Sequence, residues 1–232
     1  RRRPIPWDEL PAWRRKVAAL ANPGRRDLQL LLLFTGLRSL DARTIRWEHV
    51  DLAAGTLHRP CPKGGEERAF TIPVAARVVE LLARRRRGNA ALFSDGPGGP
   101  HGSGSSGCPN GSGGSRAAGW VFPTRDRAGR VTHVVEAKQQ RTVRGRKVPH
   151  LPSPHRLRDT FASAAHEAAV HPLDLKVLLN HALPAPDDVT QGTIRPSLEH
   201  LRASTERIAA FLTARLGPEP EPCPDSCQAP GA

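Results

Sequence analysis

Tyrosine is missing from this chain of 232 residues, so neither one copy nor an identical partner can supply a phenol group to a reaction. Cysteine is scarce, and Cys61, Cys108, Cys223 and Cys227 follow no regular spacing. Scattered thiols of this kind favour unpaired cysteines in a cytosolic protein over a disulfide framework or a zinc site. Methionine is also missing, the first position included, and we expect the natural start of the protein to lie upstream of Arg1.

The chain has no long apolar run and few acidic residues. A membrane-spanning helix requires roughly 20 apolar residues, and the apolar stretch 28–34 is too short for one. We also find no signal peptide. Against 35 Lys and Arg residues there are only 22 Asp and Glu residues, a formal net charge of +13. This excess predicts a polyanionic partner, because neutralising phosphates releases counterions. We predict duplex DNA and no membrane.

Composition divides the chain into one folded domain and three simple segments. The hydrophobic fraction of 38% is low for a fully folded chain. The stretch 94–119 is rich in Gly, Ser and Pro and predicts a disordered insert. We expect a basic arm over 1–6 and a disordered Pro-rich tail over 217–232. The domain itself is therefore expected over 7–216.

Local patterns predict a mainly helical domain. Helices are expected from a cap at Asp8 to Leu20 and over 26–37, 41–47, 73–87, 154–169, 172–180 and 196–216. Ser153 is the expected cap of the helix over 154–169. Strands over 56–58 and 68–72 flank a Pro-Lys-Gly-Gly turn and predict a hairpin, with further short strands over 120–123 and 131–135. The predicted fold class is α+β, mainly α-helical with a small antiparallel β-sheet.

Five basic residues have ordinary explanations when each is considered alone. Arg38 follows an apolar helix, where a solvated arginine is usual, and Lys63 lies on a glycine-rich turn. His155 and Arg158 are three residues apart and share a helix face. His181 follows a helix end, where it can cap the helix.

As a set, the same residues suit phosphodiester chemistry. Two arginines can hold the non-bridging oxygens of one phosphate in a planar, bidentate way. Two imidazoles can donate to that phosphate or move a proton, and a lysine on a hairpin can protonate a leaving oxygen. No carboxylate cluster suggests a divalent metal, so side chains alone would neutralise charge. We predict neither a metal ion nor a cofactor.

Four motifs that follow one another carry a family resemblance. They are Thr35-Gly36-Leu37-Arg38 with Asp41, Pro62-Lys63-Gly64-Gly65, the stretch 154–163 beginning Pro154-His155-Arg156-Leu157-Arg158, and Leu178-Leu179-Asn180-His181. In this order they resemble the catalytic domain of the tyrosine recombinases, the phage integrase family, over roughly 7–212 apart from the insert. Asn180 stands where glycine is commoner in that family.

The resemblance implies DNA strand cleavage and rejoining without a metal. Arg38 and Arg158 would hold the scissile phosphate. Lys63 would be the general acid for the 5′-hydroxyl, with His155 and His181 assisting proton transfer and stabilising the transition state. The resemblance also implies that the protein forms a tetrameric complex on DNA. It implies a protein of bacterial or phage origin that is located in the cytoplasm, at the nucleoid. The family's N-terminal DNA-clamping domain is not within this sequence, which suggests a gene remnant or a fragment of a longer product.

The nucleophile position is where the sequence departs from the family. The matching segment 190–196 places Thr193 where the family has tyrosine. A threonine oxygen lies roughly 4 Å closer to the backbone than a phenol oxygen, and a misplacement of about 1 Å can cost a hundredfold in rate. We therefore expect DNA binding with impaired or absent cleavage. Two alternatives stay open: an active recombinase that uses Thr193, Ser197 or another hydroxyl, and a non-catalytic DNA-binding remnant that regulates or competes with an intact integrase.

Two further arginine-rich stretches are candidates for contacts with the DNA backbone. Arg141, Arg144, Arg146 and Lys147 lead directly into the histidine–arginine motif, and we predict that they contact phosphates. The run over 84–87 is either a solvated helix end or a second contact of this kind.

Overall fold

The structure, a computed structural model, describes residues 3–93, 119–135, 142–143, 146–147, 151–181 and 196–218. Its helices are α1 (Leu10–Ala18), α2 (Pro23–Thr35), α3 (Ser39–Arg43), α4 (Ala76–Phe93), α5 (Pro154–Glu167), α6 (Pro172–Leu178) and α7 (Leu198–Leu216). The strands β1 (Val50–Asp51), β2 (Thr56–Arg59) and β3 (Phe70–Pro73) form an antiparallel sheet in the order β1-β2-β3. The predicted fold class, α+β and mainly helical, is confirmed.

Two short hairpins complete the strands. β4 (Pro123–Arg125) pairs with β5 (Val131–His133), and β6 (Thr142–Val143) pairs with β7 (Arg146–Lys147). The predicted strand over 120–123 is shifted, because Trp120 instead forms an isolated bridge with Arg46. The sequence reading also missed β1, which pairs with β2. The predicted insert lies outside the described residues from 94 to 118, and the predicted tail does so from 219 onward.

Several helix boundaries differ from the predictions because of their caps. Asp8 makes no capping bond, since Trp7–Glu9 forms a 3-10 turn and α1 begins at Leu10. Helix α2 begins at Pro23, three residues before the predicted start at 26, and the side chain of its cap, Asn22, accepts a hydrogen bond from the Arg25 N–H at 3.0 Å. Ser153 precedes α5, but its side chain makes no capping bond.

The start of α4 depends on a distant residue. The Glu206 carboxylate accepts a hydrogen bond from the Ala76 N–H at 2.7 Å, across 130 positions of sequence. This contact satisfies one of the amide groups that a helix leaves open at its N-terminus. As a result α4 begins three residues after the predicted Pro73 and extends to Phe93. At the start of α7, Ser197 is the cap and accepts a hydrogen bond from the His200 N–H at 3.1 Å.

Helices α2, α5 and α7 form the centre of the core. Leu31 and Leu33 of α2 and Leu157 and Phe161 of α5 are completely buried. Truncating a fully buried phenylalanine to alanine costs about 3–5 kcal/mol, so the contact between α2 and α5 is a major source of stability. This contact brings the end of α2 beside the first turns of α5.

The N-terminal segment packs against α5. The Ile5 N–H donates to Thr160 Oγ1 at 2.9 Å, and the Ile5 side chain is 3% exposed. The Arg156 guanidinium donates to the carbonyl oxygens of Arg3 and Pro4 at 2.9 and 3.2 Å. Residues 3–5 are thus attached to the helix that carries His155 and Arg158.

The arginine run in α4 is not uniformly solvated. Arg84 and Arg85 lie 3.3 and 3.4 Å from the two carboxylate oxygens of Asp27, and Arg85 is 5% exposed. Burial raises the pKa of Asp27, while the two arginines act in the opposite direction. The interpretation as a solvated helix end is wrong for Arg85, which joins α4 to α2.

His49 makes the stability of the fold depend on pH. Its Nδ1 accepts a hydrogen bond from the Arg46 N–H at 3.2 Å, and burial, with the charges of Arg59 and Arg46, lowers its pKa to about 4. The unfolded chain therefore binds more protons than the native state between pH 6.5 and about 4. We expect stability to fall by up to about 3 kcal/mol as pH falls through this window.

The measurement is urea unfolding as a function of pH for the native chain and for His49→Gln. The glutamine can still accept the hydrogen bond but does not titrate, so its stability should fall less steeply below pH 6.5. Parallel curves for the two proteins would contradict the assignment to His49.

Candidate phosphate-binding site

Arg158 joins the ends of two helices. It lies in the second turn of α5 and is 6% exposed. Its Nη1 donates to the Gly36 carbonyl at 2.6 Å, and its Nη2 donates to the Leu179 carbonyl at 2.7 Å. Gly36 ends α2 and Leu179 ends α6. The last carbonyls of a helix lack partners within the helix and carry partial negative charge, so they hold the guanidinium in place.

Gly36 is required at the end of α2. Its φ of 63° is left-handed, and its N–H bonds to the Leu32 carbonyl at 3.0 Å to close the helix. A Cβ at this position would lie 2.5 Å from the ring of Phe161 and 2.8 Å from a methyl of Leu179. Only glycine fits both the backbone angle and the space, and the turn leads directly to Arg38.

Asp41 lies between two arginines. Arg38 precedes α3, its side chain is 31% exposed, and its Nη1 lies 4.0 Å from Asp41 Oδ2. Arg59 Nη2 lies 3.9 Å from Asp41 Oδ1, and the same guanidinium donates to the Thr44 carbonyl and hydroxyl at 3.1 and 2.9 Å. Burial raises the pKa of Asp41, opposed by Arg59, Arg38 and Arg158. Asp41 thus lies buried next to Arg38 and attracts its guanidinium without a hydrogen bond.

Arg59 was missed by the sequence reading. It is 3% exposed on β2, where Leu57 and Arg59 are buried and His58 between them is exposed. A charged residue at an inward position of a strand is the signal that could have found it, since a buried charge needs a partner. The partner, Asp41, belongs to a motif that the sequence had already singled out.

His181 is placed by the end of α6. The N–H of His181 bonds to the Lys176 carbonyl and that of Asn180 to the Val177 carbonyl, both at 2.9 Å, which is a Schellman cap. Asn180 has a left-handed φ of 47°. Arg158 Nη2 lies 2.9 Å from His181 Nε2. A guanidinium can only donate, so Nε2 is the acceptor and His181 is neutral with its proton on Nδ1.

The site carries net positive charge. Burial, followed by the charge of Arg38, lowers the pKa of Arg158 to about 10, so Arg158 is protonated at neutral pH. Partial burial and the nearby charges of Arg158 and Arg38 lower the pKa of His181, which favours its neutral form. The charges of Arg38, Arg59 and Arg158 all act on one buried carboxylate, that of Asp41, and leave a surplus of positive charge for an anion.

Lys63 and His155 are exposed residues on separate elements. Lys63 lies on the turn between β2 and β3, which is closed by a hydrogen bond from the Gly65 N–H to the Pro62 carbonyl at 3.1 Å. His155 lies in the first turn of α5, three residues before Arg158. The structure therefore brings Arg38, Arg158 and His181 together, with His155 one helical turn from Arg158.

The remaining predicted site residues are only partly described. Thr193, Arg141 and Arg144 lie outside the described residues, and Arg146 and Lys147 form strand β7. The helices on either side of Thr193 are joined by Asp174 of α6, which accepts hydrogen bonds from His200 at 2.9 Å and Ser204 at 2.8 Å.

Two features are absent from the part of the chain that the structure describes. Among these residues no three His, Cys, Asp or Glu side chains form a group that could hold a metal ion. Nor does any helix within the same ranges have the length and apolar character needed to cross a membrane.

A family model described as "Phage integrase family" matches residues 19–185. This chain belongs to the phage integrase family. Prophage integrase IntZ of Escherichia coli (strain K12) is 33% identical over 81 residues, which are 34% of this chain and 19% of that protein. The integrase of mycobacterium phage Brujita superimposes with a TM-score of 0.50 at 22% identity, over 90% of this chain and 62% of that chain. The structural likeness shows a shared fold, and the chain spans about a fifth of the curated relative.

Proposed function

We propose that this integrase-family chain binds duplex DNA by its phosphate backbone, as a catalytic domain for site-specific DNA integration and recombination, and is impaired in covalent strand cleavage. The observation that carries the proposal is the pairing of Arg158 with His181, beside Arg38, at the joined ends of α2 and α6. Such a group of fixed guanidiniums suits the non-bridging oxygens of one phosphodiester.

The reaction of the family assigns a role to each residue of the site. A nucleophilic hydroxyl would release its proton, with His155 and His181 assisting the transfer, as its oxygen bonds to phosphorus. The bond from phosphorus to the 5′-oxygen would break at the same time, and Lys63 would give a proton to the 5′-oxygen. Arg38 and Arg158 would hold the charge that develops on the phosphate, with His155 and His181 assisting. The neutral state of His181, which already carries a proton on Nδ1, is compatible with donating a hydrogen bond.

The missing phenol is the reason to propose impairment. Thr193 offers a shorter side chain and a far more basic oxygen than a phenol with a pKa near 10. The Ser197 hydroxyl already accepts the hydrogen bond that caps α7. Neither residue replaces a tyrosine in reach or in acidity, so binding without cutting is the expected behaviour.

DNA binding should be strong at low salt and depend on Arg38. We expect the logarithm of the association constant for a fluorescein-labelled duplex to fall linearly with the logarithm of salt concentration. Arg38→Ala should weaken binding about tenfold or more, because it removes a charge-assisted contact. The matched control is Arg130→Ala, since Arg130 is 81% exposed and pairs with Asp126 on the β4–β5 turn. Equal effects of the two substitutions would refute the phosphate site.

The impairment has its own test. A radiolabelled nicked duplex should yield no covalent protein–DNA adduct with the native chain. An adduct that Thr193→Ala abolishes would show instead that this threonine is an active nucleophile.

A second candidate function follows from Thr193 itself. A domain that binds DNA without cutting can occupy sites that an intact integrase needs, alone or in a mixed assembly with it. Adding the chain to an intact integrase should then lower recombination, and Arg38→Ala should relieve this inhibition. Recombination that is unchanged by the native chain would exclude the competitor role.

A further inference from the structure

We propose that Arg68 is an additional phosphate-binding residue of this site, and that Asn180 positions it by holding its main-chain carbonyl. The inference rests on the proposed function, since it takes the ligand to be a DNA phosphate. It assigns a role to the position at which this chain departs from the family's usual glycine, and it connects the β2–β3 hairpin to α6.

The first observation is a hydrogen bond between the two elements. The Nδ2 of Asn180 donates to the Arg68 carbonyl at 3.3 Å, across 112 positions of sequence. The backbone of Asn180 is left-handed, with φ of 47°, a conformation that glycine and asparagine adopt with little strain. Glycine would satisfy the backbone equally well but has no amide group. The asparagine therefore adds a bond to the hairpin that the helix cap itself does not need.

The second observation is the course of the Arg68 side chain. Its Cδ would lie 2.7 Å from a Cβ placed on Gly64, so the aliphatic part of Arg68 packs over Gly64, the residue that follows Lys63. Gly64 has a φ of 116°, and the absence of a side chain leaves the space that Arg68 occupies. Arg68 itself is exposed. Its charged group is thus held on the same turn as the proposed general acid.

The third observation is electrostatic. The charge of Arg68 is among those that lower the pKa of His181, together with Arg158 and Arg38. Arg68 therefore contributes to the same positive field as the two arginines that the sequence identified. The charges of Arg38, Arg158 and Arg68, from separate parts of the chain, thus all act on His181, and a phosphate bound there would offset them.

The direct test is Arg68→Gln in salt-dependent binding of a labelled duplex. Removing one phosphate contact should lower affinity about five- to tenfold and reduce the slope of log affinity against log salt by about one. Arg215→Gln is the matched control, because Arg215 is an exposed arginine in the last turn of α7. It should leave the slope almost unchanged.

The test of the positioning role is Asn180→Gly, which removes the amide and suits the left-handed backbone. Affinity should fall in the same direction as for Arg68→Gln but by less, and the double variant should be no weaker than Arg68→Gln alone. In NMR titrations, the pKa of His181 should rise in both single variants. Additive losses, or an unchanged pKa of His181 in both, would overturn the role of Asn180.

The outcomes separate this inference from the proposed function. If the native chain shows no salt-dependent binding, the proposed function fails. If it binds, and Arg38→Ala weakens binding while Arg68→Gln behaves like Arg215→Gln, the proposed function stands and the role of Arg68 is wrong.

Discussion

Replacing Thr193 by tyrosine should give the chain a covalent bond to DNA that the present sequence forms poorly or not at all. A phenol extends roughly 4 Å further from the backbone than the threonine hydroxyl. It is also a far better leaving group, with a pKa near 10. Because displacement by about 1 Å can already cost a hundredfold, the gain in adduct formation should be at least of that order.

The experiment uses a library of radiolabelled, nicked duplexes in which both the sequence and the position of the nick are randomised. The target site therefore does not have to be known. Adducts are separated on denaturing gels after incubation with the native chain, Thr193→Tyr and Thr193→Phe. The phenylalanine variant matches the ring without the hydroxyl and should give no adduct. If Thr193→Tyr binds DNA and still forms none, the other proposed catalytic residues do not form a working site.

A substitution at Gly36 should cause the largest loss of stability in the site. Gly36→Ala forces a side chain into a left-handed backbone, which costs about 1–2 kcal/mol, and into contact with Phe161 at 2.5 Å. Overpacking of this kind adds about 1–3 kcal/mol. We expect a total of about 2–5 kcal/mol in urea unfolding, together with weaker DNA binding, because the Gly36 carbonyl holds Arg158.

Gly129→Ala provides the control for this prediction. Gly129 has a φ of 78°, but a Cβ there meets nothing within 4 Å. It should therefore show only the backbone cost of about 1–2 kcal/mol. In a second control, Gly36→Ala should cost less in a Phe161→Leu background than in the native chain, because the leucine lacks the ring. Equal losses at Gly36 and Gly129 would show that crowding against Phe161 contributes nothing.

Local patterns predicted the fold class and most of the elements. The hairpin of β2 and β3 and the helices near their expected positions depend on turn residues and on periodicity, which are short-range properties. The errors occurred at helix ends and in two short strands, because β1 was missed and the strand expected over 120–123 is shifted. Asp8 and Ser153 are good capping residues by type but make no such bond here, and α4 begins where Glu206 of α7 supplies an acceptor.

By itself, the sequence determined which chemical groups are available: the ordered motifs of the phage integrase family, the excess of positive charge and the complete lack of tyrosine. Only the tertiary structure decided how these groups are held. Arg158 binds carbonyls 122 and 21 positions away, and Asn180 binds the carbonyl of Arg68. The physical reason is that the open carbonyls at helix ends and turns are common to every sequence. Which side chain reaches them depends on how the elements pack.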